Sequence, residues 1–166
     1  AWQNESGFKK FLSNFYNQTS LIIDKKVARN SNTVEWNPFS KNDADLIGLN
    51  NNFRNSLFFH KGKQKNSVTY TYNSSSLKNL LNFGSQENYL KSHQLQYAHL
   101  LKKFWLFQLQ TTTSNSESIS DSYASRNFSI DGLEVAPKVS YIFSKNASWD
   151  IFYENSKKEN TLADFE

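Results

Sequence analysis

The sequence predicts an all-β chain: an antiparallel up-and-down meander of about seven strands, forming part of the wall of a larger transmembrane β-barrel. Three observations predict it. Apolar side chains recur at every second position over stretches longer than ordinary globular strands. The connections alternate between short turns and long loops rich in Ser and Asn. Large rings gather beside the short turns, where an interfacial girdle would sit.

Composition frames that reading. Of the 166 residues, 37% are apolar and 16% aromatic, thin for a compact core but too ring-rich for a disordered polar chain. The absence of cysteine excludes disulfide stapling and thiolate zinc sites. No window approaches the run of about 18 apolar residues that a membrane-spanning helix requires, so any crossing must be made by strands. The net charge of +4 comes from lysines spread in small groups, such as Lys61, Lys63 and Lys65 or Lys102 and Lys103. Solvated turns account for them better than a nucleic-acid surface, and no nucleic acid is expected as a partner. The chain begins at Ala1, contains no methionine and shows no leader pattern, and is therefore read as an internal piece of a longer protein.

The first strand, 11–27, alternates least cleanly because Leu21, Ile22 and Ile23 run together. A long loop, 29–44, carries Trp36 and Pro38. The second strand, 45–60, sets Ile47, Leu49, Phe53, Leu57 and Phe59 against Gly48, Asn50, Asn52, Arg54 and Ser56. A short turn at Gly62 leads to the third strand, 66–74, with Val68, Tyr70 and Tyr72 on one face and Ser67, Thr69 and Thr71 on the other.

The next segment, 75–87, is read as a long loop. Within it Leu77, Leu80, Leu81 and Phe83 at helical spacing suggest either a short helix or an extended loop hairpin over Ser75 to Gly84. The fourth strand, 88–101, and the fifth, 104–116, form a hairpin around Lys102 and Lys103. Tyr89, Leu95, Tyr97 and Leu101, then Trp105, Phe107 and Leu109, line one face; Ser92, Gln94, Gln96, Gln108 and Gln110 line the other. A third long loop, 115–126, follows.

The clearest alternation is last. In the sixth strand, 127–143, Leu133, Val135, Pro137, Val139, Tyr141 and Phe143 oppose Glu134, Ala136, Lys138, Ser140 and Ile142. After the turn at Ser144 to Ala147, the seventh strand, 148–157, sets Trp149, Ile151 and Tyr153 against Asp150, Phe152 and Glu154. Ile142 and Phe152 are the imperfections of that hairpin. Single-chain bacterial barrels normally have an even strand count, so further strands from outside this sequence are expected to complete the wall.

Four stretches carry a family resemblance: GLNNNFRNSLFF from Gly48, SVTYTYNSSSLKNLL from Ser67, HQLQYAHLLKKFWLFQLQT from His93, and IDGLEVAPKVSYIFSKNASWDIFYENSKKEN from Ile130. They resemble the barrel-forming region of large, uncharacterised outer-membrane proteins of Bacteroidota, and the resemblance covers roughly Ile47 to the end. It implies a large barrel with Asn- and aromatic-rich strands, exposed at the cell surface. It supplies no catalytic residues.

The residues assign themselves to two environments. Asn50, Asn52, Arg54, Gln94, Gln108, Gln110, Glu134 and Lys138 are the candidates for a polar lumen. Phe59, Trp105, Phe107, Leu109, Val135, Val139, Tyr141, Phe143, Trp149 and Ile151 are the candidates for the lipid-facing band and its girdle. Asn51, Asn55, Lys91 and His93 fall awkwardly on the apolar side.

Constellations for chemistry are sparse. His60, His93 and His99 have no metal-ligand spacing, so no metal or cofactor is expected. Ser92 beside His93 hints at an outer-membrane lipase, but adjacent strand residues point to opposite faces. Asp131 and Gly132 suit a bulge or strand position better than a turn. Glu134, Lys138, Asp150 and Glu154 share the polar face of one hairpin, where pairing of opposite charges is the default.

The expected role is a non-enzymatic wall segment of a bacterial outer-membrane barrel used in transport, translocation or envelope assembly. Its partners would be outer-membrane lipid and the remaining strands of the same protein. One alternative is a soluble extracellular β-sandwich or jelly-roll binding module, since alternation builds those too. The second is an outer-membrane hydrolase.

Overall fold

A computed structural model of the chain describes residues 12–27, 46–60, 66–81, 84–144 and 147–161. They form one antiparallel sheet of eight strands: β1 (Phe15–Val27), β2 (Leu46–Phe59), β3 (Asn66–Leu81), β4 (Gly84–Leu101), β5 (Trp105–Ser120), β6 (Phe128–Ser144), β7 (Ala147–Phe152) and β8 (Asn155–Asn160). The order in the sheet is the order in the chain up to β7, and β8 also pairs β6. This is an up-and-down meander. No ladder joins β1 to β7 or β8, so the described sheet is open.

The eighth strand comes from a break in the expected seventh. Lys138 pairs with Phe152 and Val135 with Asn155, so β7 and β8 keep one register along β6. Pro137 causes the gap. Its carbonyl accepts the Tyr153 amide at 3.0 Å, but its ring nitrogen has no proton to return. Toward β5 nothing is lost, because Ile142 bonds Phe104 there and sets that ladder on even-numbered residues of β6. The proline is thus tolerated inside the sheet with its missing donor aimed at the last strand.

Two expected loops are largely strand. Of the two alternatives for Ser75 to Gly84, the extended hairpin is the one observed and the helix is not: β3 continues to Leu81 and pairs it with Gly84, so Ser75 and Leu77 face Leu90 and Asn88. Likewise β5 runs to Ser120, and Ser114 to Ser118 pair with Gly132 to Phe128, leaving 121–127 with a 3-10 turn at Ala124–Arg126. Polar residues hid these strands because a backbone ladder needs only a partner strand, whatever the side chains. Asp131 and Gly132 are strand residues of β6. The expected loop 29–44 lies outside the described residues.

The short turn at Lys102 and Lys103 is where the sequence puts it; those at Gly62 and Asn146 lie outside the described residues. Phe104 N donates to Leu101 O at 3.2 Å, closing a turn whose central residues, Lys102 and Lys103, have φ of 51° and 66°. Positive φ at both centres is what a type I′ hairpin requires, and lysine is an uncommon occupant there. Gly84, at φ 102°, opens β4 where an L side chain would be strained.

Among the described residues no second layer packs on the sheet. The buried hydrophobic residues are Leu46 and Leu49, at one end of β2. Leu57, Phe107, Leu109, Leu133, Trp149 and Ile151 remain exposed. A sandwich or jelly-roll would bury such a face against a second sheet; here there is one sheet.

Candidate functional site

Register fixes which side chains share a face, because directly paired residues project to the same side. One set runs from Asn50, Asn52 and Arg54 on β2, paired with Leu77, Ser75 and Asn73, to Gln94 on β4, paired with Thr71 and Thr112. It continues through Gln108, paired with Ala98 and Lys138, and Gln110, paired with Gln96 and Ala136, to Glu134 opposite Thr112. All eight polar candidates lie on this face.

The other face holds the apolar candidates. Phe59 pairs with Phe15 and Val68; Trp105, Phe107 and Leu109 pair with Tyr141, Val139 and Pro137; Trp149 and Ile151 pair with Tyr141 and Val139. Val135 lies on it opposite Thr111. Phe143 joins it edge-on against Tyr141, with centroids 4.7 Å apart. Trp105 and Tyr141 are also 4.7 Å apart, so the rings form a continuous cluster beside the Lys102 and Ser144 turns.

The polar face is concave. Ser67 and Thr69 on β3, Gln96 on β4, Gln108 and Gln110 on β5, Glu134 and Lys138 on β6, and Phe152 and Glu154 beyond them line one recess of about 590 Å³. Strands so far apart meet around one space because the sheet curls toward this side. Crowding on the inside of a curl favours small side chains, and Ser56, Thr71, Ser118, Ser120 and Ser140 are buried there. The Ser56 and Thr71 hydroxyls bond each other at 3.2 Å.

Within the recess Gln96 Nε2 donates to Gln110 Oε1 at 3.2 Å, and the Lys138 ammonium sits 2.8 Å from the Asp150 carboxylate. Hydroxyls, amides and an ion pair give this recess groups able to exchange hydrogen bonds with water or a polar solute. Asn50, Asn52, Arg54 and Gln94 do not line this recess; Arg54 borders a second one of about 270 Å³ with Gln18 and Ser20. The candidates therefore share one face, but only Gln108, Gln110, Glu134 and Lys138 meet around the larger recess. Phe152 is the feature that alternation could not assign: 76% exposed, it borders the larger recess as an apolar side chain on a polar face.

Two of the four awkward residues of the apolar face, Asn55 and His93, find hydrogen-bond partners. Asn55 Nδ2 donates to Asn17 Oδ1 at 2.9 Å and to Thr19 Oγ1 at 2.7 Å. His93 shares a 2.7 Å hydrogen bond with the Tyr70 hydroxyl and packs 4.9 Å from the Tyr72 ring. Lys91 stands opposite Ser74 and Asn115, above the ring cluster in a polar zone that includes the 2.7 Å Lys78–Glu87 ion pair. Asn51 Oδ1 is buried with no hydrogen-bond partner. Ser92 is bonded to Asn73 on the opposite face from His93, so the adjacent pair cannot act together on one substrate.

Comparison with protein-family models, curated proteins and solved structures finds no match to this chain.

Proposed function

We propose that this chain is a non-enzymatic wall segment of a bacterial outer-membrane β-barrel, its outer face against lipid and its concave face lining a hydrated lumen for the passage or housing of polar material. One observation carries the reading: along the meander, large rings and branched chains of the described residues stand uncovered on the outside while hydroxyls and amides gather inside the curl. A water-soluble domain hides those faces the other way round.

Dimensions support it. On β6 the apolar side runs from Leu133 to Phe143. Ten residues at about 3.4 Å each span about 34 Å, and a tilt of about 35 to 45° reduces that to about 24 to 28 Å. An outer-membrane barrel presents an apolar band of about 25 Å. Stagger supports the tilt: Phe59 shares a ladder row with Val68 and Tyr97, four residues short of the Leu101 turn, and the next turn at Ser144 lies three residues beyond Tyr141, the partner of Trp105. Turns that step along the ladder are what a tilted wall needs. The family resemblance points the same way.

The absence of cysteine makes the test direct. Single Phe107→Cys and Val139→Cys variants, folded into phospholipid vesicles, should resist a water-soluble maleimide that labels Gln108→Cys and Gln110→Cys. Equal labelling of both sets would refute a lipid-facing outer surface.

A further inference from the structure

We infer that the Lys102–Lys103 hairpin, with the rings beside it, anchors the anionic phosphate headgroups of a phospholipid leaflet. The inference rests on the proposal that the outer face meets lipid, and adds which end of the wall meets anionic charge. Both lysines hold positive φ, where Asn and Gly are the favoured residues. The hairpin bears that conformational cost to place two ammonium groups at its tip. Both are exposed, and among the described residues no carboxylate pairs with them.

The surroundings select the ligand. Phe104, Trp105, Phe143 and Trp149 are each at least 40% exposed and lie within three residues of the β4–β5 and β6–β7 connections. Rings of this kind settle at the boundary between acyl chains and headgroups, and indole adds an N–H donor. Ammonium groups just beyond them fall at phosphate level, reached by flexible stems. Charge is sorted along the strands: the sequences joining β2 to β3, β4 to β5 and β6 to β7 contain Lys61, Lys63, Lys65, Lys102, Lys103 and Lys145 and no carboxylate. The β5–β6 connection at the other end carries both Asp121 and Arg126. Cations that recur in three connections at the same end of the strands suit a continuous layer of headgroups better than a compact acidic protein.

The test is flotation of the full chain with vesicles of neutral phosphatidylcholine and with vesicles containing anionic phosphatidylglycerol. Association with both and a preference for the anionic ones is expected. A lysine near an anionic surface contributes about 1 kcal/mol, about fivefold, so the Lys102→Gln, Lys103→Gln variant should lose about 30-fold of that preference while Arg at both positions retains it. The Lys102→Asn, Lys103→Gly variant relieves the strained turn and should lose as much; if only the Gln variant loses it, misfolding is the cause and the inference falls. It also falls if the unaltered chain shows no preference, if inorganic phosphate at constant ionic strength abolishes it, or if polyglutamate binds more tightly than the anionic vesicles. Failure to associate with either vesicle would instead overturn the lipid-facing reading on which it rests.

Discussion

Pro137 accepts the amide of Tyr153 at 3.0 Å and offers none in return. That one-sided pair divides the last track of the sheet into β7 and β8 while the register continues past it. Pro137→Val should supply the missing donor, worth about 1 kcal/mol of local stability. Hydrogen exchange reads this directly: the amides of Tyr153 and Asn155 should become more protected. Unchanged protection would mean that something other than the missing proton interrupts the strand.

A second pair closes the far end of the β4–β5 ladder. Ser85 donates its hydroxyl and its amide to Asp121 Oδ2, at 2.6 and 3.2 Å, while the Asp121 amide bonds back to Ser85 O at 3.0 Å. The Ser85 hydroxyl, then its amide, hold the Asp121 carboxyl below its ordinary value of 3.8, with the Lys78 charge assisting. A carboxyl lowered on folding stabilises the folded state fully above its ordinary value, and that contribution fades as pH falls through the lowered native one. Exchange at the Ser85 amide should therefore accelerate below about pH 4, beyond the intrinsic effect of acid, and Asp121→Asn should remove that step. A step that survives the substitution would assign it to another carboxylate.

Gly84 is the neighbouring constraint. Its φ of 102° disfavours any L side chain, and an added Cβ would lie 2.5 Å from Ser122 Oγ. Gly84→Ala should destabilise the chain by about 1 to 2 kcal/mol from the backbone term alone. Adding Ser122→Gly should recover the contact part and leave the backbone part, measured by denaturant titration of the single and double variants. Full recovery would place the whole cost in the contact.

Strand identity and facing were legible because side chains alternate where one face is apolar. Leu133 to Phe143 against Glu134 to Ile142 declared both the strand and its sides. Where both faces are polar, as at Glu117 and Ser118 and at Ser75 and Ser76, alternation carries no contrast, so strands passed for loops although their backbones are laddered. Which of the polar candidates meet around one recess was beyond reach, since it depends on how far the sheet curls. So was the role of Asn55, whose partners Asn17 and Thr19 lie on the strand that alternated least clearly.

The two faces differ in what they should tolerate, and arginine separates them. Val139 lies near the middle of the apolar run on β6, between Phe107 and Ile151. Gln110 lies on the concave face beside Gln96 and lines the larger recess. If lipid meets the outer face, Val139→Arg must carry a charge into hydrocarbon or bend it toward the headgroups, costing about 2 to 4 kcal/mol near the midplane. Gln110→Arg keeps its charge in water, with Glu134 lining the same recess, and should cost much less. Urea unfolding of both variants from phospholipid vesicles gives the comparison. Equal costs would mean the two sides meet the same solvent, and the outer rings would then require a protein layer to cover them.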